Sequence, residues 1–403
     1  MLDLLWLLLP VAAASGWLAA RRSSSQQASA ANEPGSDYFR GLNFLLDNRP
    51  DEAIEVFTRM VEVNPETVET HLALGSLFRR RGEVDRAIHI HQDLVERPGL
   101  SGSQRSRGLL ELGEDYMKAG VFDRAESLFR ELAKVPGYTA HALCHLLIIY
   151  QQEKDWQAAI DCAERLGKVS GECHQREIAQ YWCELAEESR HHAAGAQARK
   201  LADSALAADP QCVRASLILA ELDREAGDYR AALVHLRRIE NQDAALLPVA
   251  LAPMRACHEA LGERDALIEY LDGAIRRRPS GHLTAALGEL RESREGAQAA
   301  EDFLVEALRR APSVAGLRQL VDLKLRQGAG DARAHLETLF EVSKPLLDTS
   351  LRYRCNHCGF EGRSLHWRCP GCQAWNAMRP RDDAACAGPR RNGGRGIQGN
   401  ACG

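Results

Sequence analysis

What the chain lacks narrows its possible functions. Its 403 residues contain no G-x-x-x-x-G-K-[ST] phosphate loop, no G-x-S-x-G nucleophile turn and no H-E-x-x-H zinc-protease helix. No pair of carboxylates stands apart from ordinary helix surface charge. Aromatic residues are scarce at 6%, while Ala, Leu, Glu and Arg are abundant, a composition that favours helices over strands. There is no excess of positive charge: 51 Lys+Arg stand against 56 Asp+Glu, a net charge of −5, so the basic footprint of a nucleic-acid binder is missing. With 45% hydrophobic and 27% charged residues, the composition also excludes disordered, collagenous and polytopic membrane chains. A chain of this length can bury a sizeable core and hold two or three domains of about 150 residues each.

The 12 cysteines are unevenly spread. Cys144, Cys162, Cys173, Cys183, Cys212 and Cys257 are scattered without framework spacing, and Cys386 and Cys402 lie near the C-terminus. The scattered six read as free thiols, which implies a reducing compartment. The remaining four fall together in 355–372, CNHCGFEGRSLHWRCPGC. This is Cys-x2-Cys, ten residues, Cys-x2-Cys, a spacing that brings Cys355, Cys358, Cys369 and Cys372 to the corners of a tetrahedron around one metal ion. Gly359 and Gly371 suit tight turns, and Arg352, Arg354, Arg363 and Arg368 would offset the charge of four thiolates. So small a module has little apolar surface to bury, so the metal supplies much of its folding free energy. Four-sulfur coordination suits iron or zinc. A complete shell leaves no open position for a substrate water, so the expected role is structural or docking rather than hydrolytic. Tyr353, Phe360, Trp367 and Trp375 are expected to pack the module onto the last repeats or to face a partner.

Residues 2–20, LDLLWLLLPVAAASGWLAA, precede Arg21-Arg22. As a helix they span roughly 28 Å, about one hydrocarbon core, with Trp6 and Trp17 toward opposite ends as interfacial anchors. A cleaved signal peptide is the alternative, since Ala12-Ala13-Ala14-Ser15 resembles a cleavage region. A signal peptide carries its basic residues first, however; here Asp3 precedes the apolar run and the arginines follow it. The expectation is therefore a transmembrane anchor over 1–20, a polar tether over 21–36 and the bulk of the chain on the cytoplasmic side.

Between residues 37 and 342 a pattern of about 34 residues repeats, the period of tetratricopeptide repeats. A small residue is followed by an aromatic three positions on and an alanine nine further on. Gly41, Phe44, Ala53, Phe57 and Pro65 form one instance; Gly75, Phe78, Gly82 and Ala87 the next; Gly113, Tyr116, Gly120, Ala125 and Phe129 a third. Looser units follow, with Ala186 and Ala198, Ala220 and Ala232, and Gly288 and Ala300 in the small positions, and with Pro210, Pro279 and Pro312 between them. Each unit reads as two antiparallel helices whose small residues allow close approach. No unit buries its apolar stripe alone, so eight or nine of them stack into a superhelix with a concave face for protein partners. Arg79-Arg80-Arg81 before Gly82 and Arg276-Arg277-Arg278 before Pro279 read as basic helix C-termini, and His191-His192 as a solvated helix end. Residues 351–379 form the metal module. Residues 380–403 are glycine-rich and expected to be disordered, and the match of Gly394, Gly396 and Gly399 to a dinucleotide fingerprint is accidental because no strand precedes it.

The paired knuckles resemble rubredoxin, although the gap between them is only ten residues and Gln373, not glycine, follows the second. The whole order resembles a known family more closely. The opening MLDLLWLLLPVAAASGW, the stretches GLNFLLDNRPDEAIEVF and HLALGSLFRRRGEVDRAIHIHQDL, and the closing YRCNHCGF and WRCPGCQAW together resemble the lipopolysaccharide assembly protein B family of Gram-negative bacteria, over residues 1 to about 380. The resemblance implies an all-α tetratricopeptide-repeat superhelix with an N-terminal transmembrane helix and a rubredoxin-like module, in the inner membrane. It implies iron at Cys355, Cys358, Cys369 and Cys372, with zinc the alternative. It also implies a non-enzymatic adaptor that regulates lipopolysaccharide synthesis by promoting degradation of the lipid A pathway deacetylase by the membrane protease FtsH. An inner-membrane regulator of lipopolysaccharide synthesis is a further implied partner; no nucleic acid is. The competing expectation is a redox protein that uses a rubredoxin-type iron and docks partners through its repeats.

Overall fold

The structure, a computed structural model, describes residues 34–63, 67–327, 333–348 and 353–381. The expected anchor (1–20), all but the last three residues of the tether (21–36), Pro65, Arg352 and the tail beyond 381 lie outside the described residues. Among the described residues no helix is long and apolar enough to cross a membrane.

The chain divides after Glu153 into two compact units. Among the described residues the first holds seven helices: α1 Pro34–Leu46, α2 Pro50–Val63, α3 Val68–Arg81, α4 Val84–Val95, α5 Gly102–Ala119, α6 Phe122–Leu132 and α7 Thr139–Glu153. The second, counted likewise among the described residues, holds eleven: α8 Trp156–Ser170, α9 Gln175–His191, α10 Gly195–Ala208, α11 Val213–Glu225, α12 Tyr229–Asp243, α13 Leu247–Leu261, α14 Arg264–Arg277, α15 Gly281–Glu295, α16 Ala297–Arg310, α17 Val314–Gln327 and α18 Arg333–Asp348. A single 3-10 turn, Ala244–Leu246, links α12 to α13. The helical class expected from composition is the class observed. To it the C-terminal module adds a three-stranded antiparallel sheet: β1 Tyr353–Cys355 lies between β2 Glu361–Gly362 and β3 Met378–Pro380.

Local chemistry sets the helix ends. Ser101 and Gln104 form a reciprocal capping box at α5, and Asp155 and Asp228 accept from the Ala158 and Ala231 N–H groups to open α8 and α12. Gly82, Gly120 and Gly262 close α3, α5 and α13 in the left-handed conformation. Pro210, Pro279 and Pro312 fall in the links before α11, α15 and α17, where the absence of a backbone N–H costs nothing.

Packing follows a fixed offset within each helix pair. A Cβ placed on Gly41, Gly75 or Gly113 would come within 2.6, 2.3 and 2.6 Å of the rings of Phe57, His91 and Phe129. Each ring lies sixteen residues on, one turn past the alanine twelve residues on, and Ala53, Ala87 and Ala125 are completely buried. The looser units keep the same geometry, with Ala186 against Ala198 and Ala202 and Ala220 against Ala232 and Leu236, all buried. In the first unit Ala53, Phe57, Leu74, Leu77, Phe78 and Ala87 form one core cluster.

One unforeseen feature of the first unit is a buried polar network. His91, filling the ring position of its repeat, brings Nδ1 to 2.5 Å from Asp115 Oδ2, and both side chains are fully buried. Arg79 donates to the other Asp115 oxygen and to Glu111 and Glu114, each at 2.7 Å. Arg79 is thus a partly buried link from α3 to α5 rather than a free helix-end charge. Arg80, Arg81, Arg276 and Arg277 lie in the last turns of α3 and α14 as expected of basic helix ends; of these, Arg276 pairs with Asp272 of its own helix, while Arg81 and Arg277 also reach Asp51 of α2 and Glu240 of α12.

Candidate metal centre and its seat on the repeats

The two knuckles are built alike. In the first, the Gly359 N–H donates to the Cys355 carbonyl (3.0 Å) and the Cys355 N–H to the Phe360 carbonyl (2.8 Å). In the second, the Gln373 N–H donates to the Cys369 carbonyl (2.9 Å) and the Cys369 N–H to the Ala374 carbonyl (2.9 Å). The turn needs a left-handed residue after each second cysteine. Gly359 supplies it at φ +79°, and Gln373 takes the same conformation at φ +60°. The missing second glycine therefore leaves the knuckle geometry intact; Gln373 Nε2 donates back to the Pro370 carbonyl (3.1 Å). Gly371 serves a different purpose from the turn expected of it. It has no left-handed φ, but a Cβ there would lie 3.4 Å from Cys358 Sγ.

The four sulfurs of Cys355, Cys358, Cys369 and Cys372 lie within 4.8 Å of one another. Cys355 and Cys372 Sγ are 3.8 Å apart, and Cys358 and Cys369 Sγ 3.6 Å. A tetrahedron with metal–sulfur bonds of about 2.3 Å has edges of about 3.8 Å, so the set fits one tetrahedral ion. Cys355 and Cys369 are buried and Cys358 is exposed. Burial, with the neighbouring thiols, pushes the Cys372 thiol up to about 12, while the Ala374 N–H pulls the other way. Four thiols this close resist shedding their protons together, and a cation supplies the compensating charge. Both iron and zinc suit this donor set.

The module's aromatics define where it sits. Trp375 meets Trp156 of α8 and Tyr181 of α9 edge-on, with ring centroids 5.9 and 5.7 Å apart, while those two rings stack on each other at 5.9 Å. Trp367 and Leu365 pack against the core formed by α11 to α15. Arg214 of α11, almost fully buried, lies 6.0 Å from the Trp367 ring centroid and pairs with Glu184 and Glu187 of α9, each at 2.8 Å. Arg379 pairs with Asp243 at the end of α12 (2.8 Å). Among the described residues the module therefore rests on helices from α8 to α15, upstream of the last repeats. Tyr353 and Phe360 pack inside the module itself. Beside Trp367 opens a groove of about 220 Å³ whose walls include Glu187, Arg190, Leu217, Glu221 and Pro253. The spacing of the cysteines identified the metal ligands; nothing local identified Trp156, Tyr181, Arg214 or Asp243 as the seat, because they meet the module only through tertiary folding.

His191 ends α9, and His192 follows it as the cap residue. Cys144, Cys162, Cys173, Cys183, Cys212 and Cys257 form no disulfide among the described residues, and all are buried except Cys173.

Comparison with known proteins agrees with this architecture. Residues 353–380 match the rubredoxin metal binding domain and residues 40–99 the tetratricopeptide repeat. Lipopolysaccharide assembly protein B of Escherichia coli (strain K12) is 39% identical over 382 residues, covering 94% of this chain and 98% of that protein. Its counterpart in Haemophilus influenzae is 35% identical over 391 residues, with the same coverage. Repeats, knuckles and near full-length similarity converge: the chain belongs to the lipopolysaccharide assembly protein B family.

Proposed function

We propose that this protein acts in lipopolysaccharide assembly as a membrane-tethered adaptor that holds other proteins together. The observation that carries the reading is the seating of a closed four-cysteine centre on the repeats, beside an accessible groove lined by α9, α11 and α13. A complete thiolate shell offers no position for substrate, so the ion's contribution is to fold and hold the module. Cys355, Cys358, Cys369 and Cys372 would hold it, with iron the favoured ion and zinc the alternative. The client is the lipid A pathway deacetylase, which the adaptor brings to the membrane protease FtsH for degradation; an inner-membrane regulator of lipopolysaccharide synthesis is a further partner. Residues 2–20 supply the anchor, with the repeats on the cytoplasmic side. Tethering confines the encounter to the membrane surface and raises the effective concentration of membrane partners. The test is the half-life of the deacetylase after depletion of this protein: it lengthens several-fold if the adaptor reading holds, and unchanged turnover contradicts it.

A further inference from the structure

Two of the buried thiols are neighbours. Cys183 in α9 and Cys212, immediately before α11, place their Sγ atoms 3.7 Å apart, and neither side chain is accessible to solvent. Small side chains surround them, among them Ala179, Ala186 and Ala215. Gln180 Nε2 donates to Cys212 Sγ (3.4 Å). Its Oε1 and the Ser216 hydroxyl are buried without a hydrogen-bond partner among the described residues. We propose that Cys183 and Cys212 form a peroxide-responsive dithiol that closes to a disulfide between α9 and the start of α11. The site is separate from the metal centre, and the inference does not depend on the adaptor reading.

The two sulfurs have distinct roles. Cys212 occupies the N-cap position of α11. The hydrogen bond from the Cys183 thiol, aided by the Ala215 N–H, holds it below the ordinary thiol range. Burial pushes Cys183 well above that range. Cys212 is therefore the attacking thiolate and Cys183 the resolving thiol. In the first step the Cys212 sulfur attacks one oxygen of hydrogen peroxide; the O–O bond breaks, the departing hydroxide takes up the proton that Cys212 has shed and leaves as water, and a sulfenic acid remains. In the second step the Cys183 sulfur attacks the Cys212 sulfur; the S–O bond breaks, and the departing oxygen takes the Cys183 proton to leave as water. In sum two thiols lose two electrons and two protons, and peroxide is reduced to two waters. Hydrogen peroxide is the fitting oxidant because the pair is closed to bulky disulfides. Arg214 follows Cys212 by two residues, and its partners Glu184 and Glu187 share α9 with Cys183, so the link would clamp the seat of Trp367.

The test uses the folded, full-length, metal-loaded protein. It is treated with stoichiometric hydrogen peroxide, its free thiols are blocked with N-ethylmaleimide, and it is digested with trypsin without reduction. Cleavage after Arg176, Arg190, Lys200 and Arg214 places Cys183 and Cys212 in separate peptides, 177–190 and 201–214. The expected result is a linked 177–190/201–214 species, lighter than the two peptides by two hydrogens, formed while the helical signal is unchanged and lost on reduction. In Cys183→Ser, which keeps a hydroxyl donor beside Cys212, peroxide treatment followed by unfolding in dimedone should label Cys212 as the sulfenic acid. Recovery of both peptides singly and alkylated would overturn the proposal, as would a link that forms only in denaturant or a Cys183→Ser protein whose Cys212 carries no dimedone after peroxide and unfolding.

Discussion

Gly113 shows how little room the repeats leave. Alanine is ordinarily the better helix former by about 1 kcal/mol, yet a Cβ here would lie 2.6 Å from a Phe129 ring that is completely buried and cannot retreat. Gly113→Ala should therefore destabilise the first unit, by about 1–3 kcal/mol, in urea unfolding; a gain in stability would contradict the packing described. A second residue-level prediction concerns acid. Arg97 donates to His71 Nε2 (2.7 Å) and His71 Nδ1 meets the Thr67 carbonyl (2.8 Å), so the ring uses its single proton on Nδ1 and is neutral in the fold. Burial lowers the pKa of His71, and likewise of His235 and His258. The unfolded chain, with histidine near its ordinary value of about 6.5, then binds more protons than the folded one. This contribution to stability is complete above about 6.5 and fades as the pH falls toward the lowered values. The unfolding midpoint should fall between pH 7.5 and 5.5, and a midpoint that rose on acidification would count against the assignment. Single residues were unevenly legible in the sequence. The small–aromatic–alanine spacing revealed Gly41, Gly75 and Gly113 and, with the first and last, Phe57 and Phe129 sixteen residues on; the third partner went unread because that ring is a histidine. The His91–Asp115 pair joins residues twenty-four apart and leaves no periodic trace.

At the scale of elements, helix ends and knuckles were the readable parts. Gly82 marked helix closure, and four cysteines at fixed spacing marked a metal module, because both signals are set by local backbone geometry. The seat of that module was not readable: Trp375, Trp156 and Tyr181 come together across some two hundred residues, and only the fold brings them into contact. Two outcomes follow. Trp375→Ala removes two edge-on ring contacts, each worth about 0.5–1.5 kcal/mol beyond burial, and should speed release of the metal to a chelator; release at the wild-type rate would show that the seat does not support the site. Stripping the metal, or changing Cys355→Ser together with Cys358→Ser, should unfold residues 353–381 while the helices keep their far-ultraviolet signal, because the repeats bury their own cores. A helical signal lost in parallel with the metal would mean that the two parts fold as one.

On the scale of the whole molecule, the order of parts carries the function: an apolar N-terminal stretch, stacked helix pairs, and a thiolate-held module resting on them. The helical repeats and the module were legible as a sequence of patterns, whereas the division after Glu153 and the docking of the module on α8 to α15 depend on distant contacts. Deleting residues 1–22 should leave a folded protein, judged by circular dichroism, that no longer fractionates with membranes and regulates poorly; full regulation by the truncated chain would remove the tether from the account. The most direct measurement follows the lipid A pathway deacetylase by pulse-chase in cells whose own copy of this protein has been replaced by the Cys355→Ser/Cys358→Ser variant, expressed at an equal level. The account predicts that the deacetylase persists as it does when the protein is absent, whereas turnover at the wild-type rate would show that recruitment proceeds without the metal module and would contradict it.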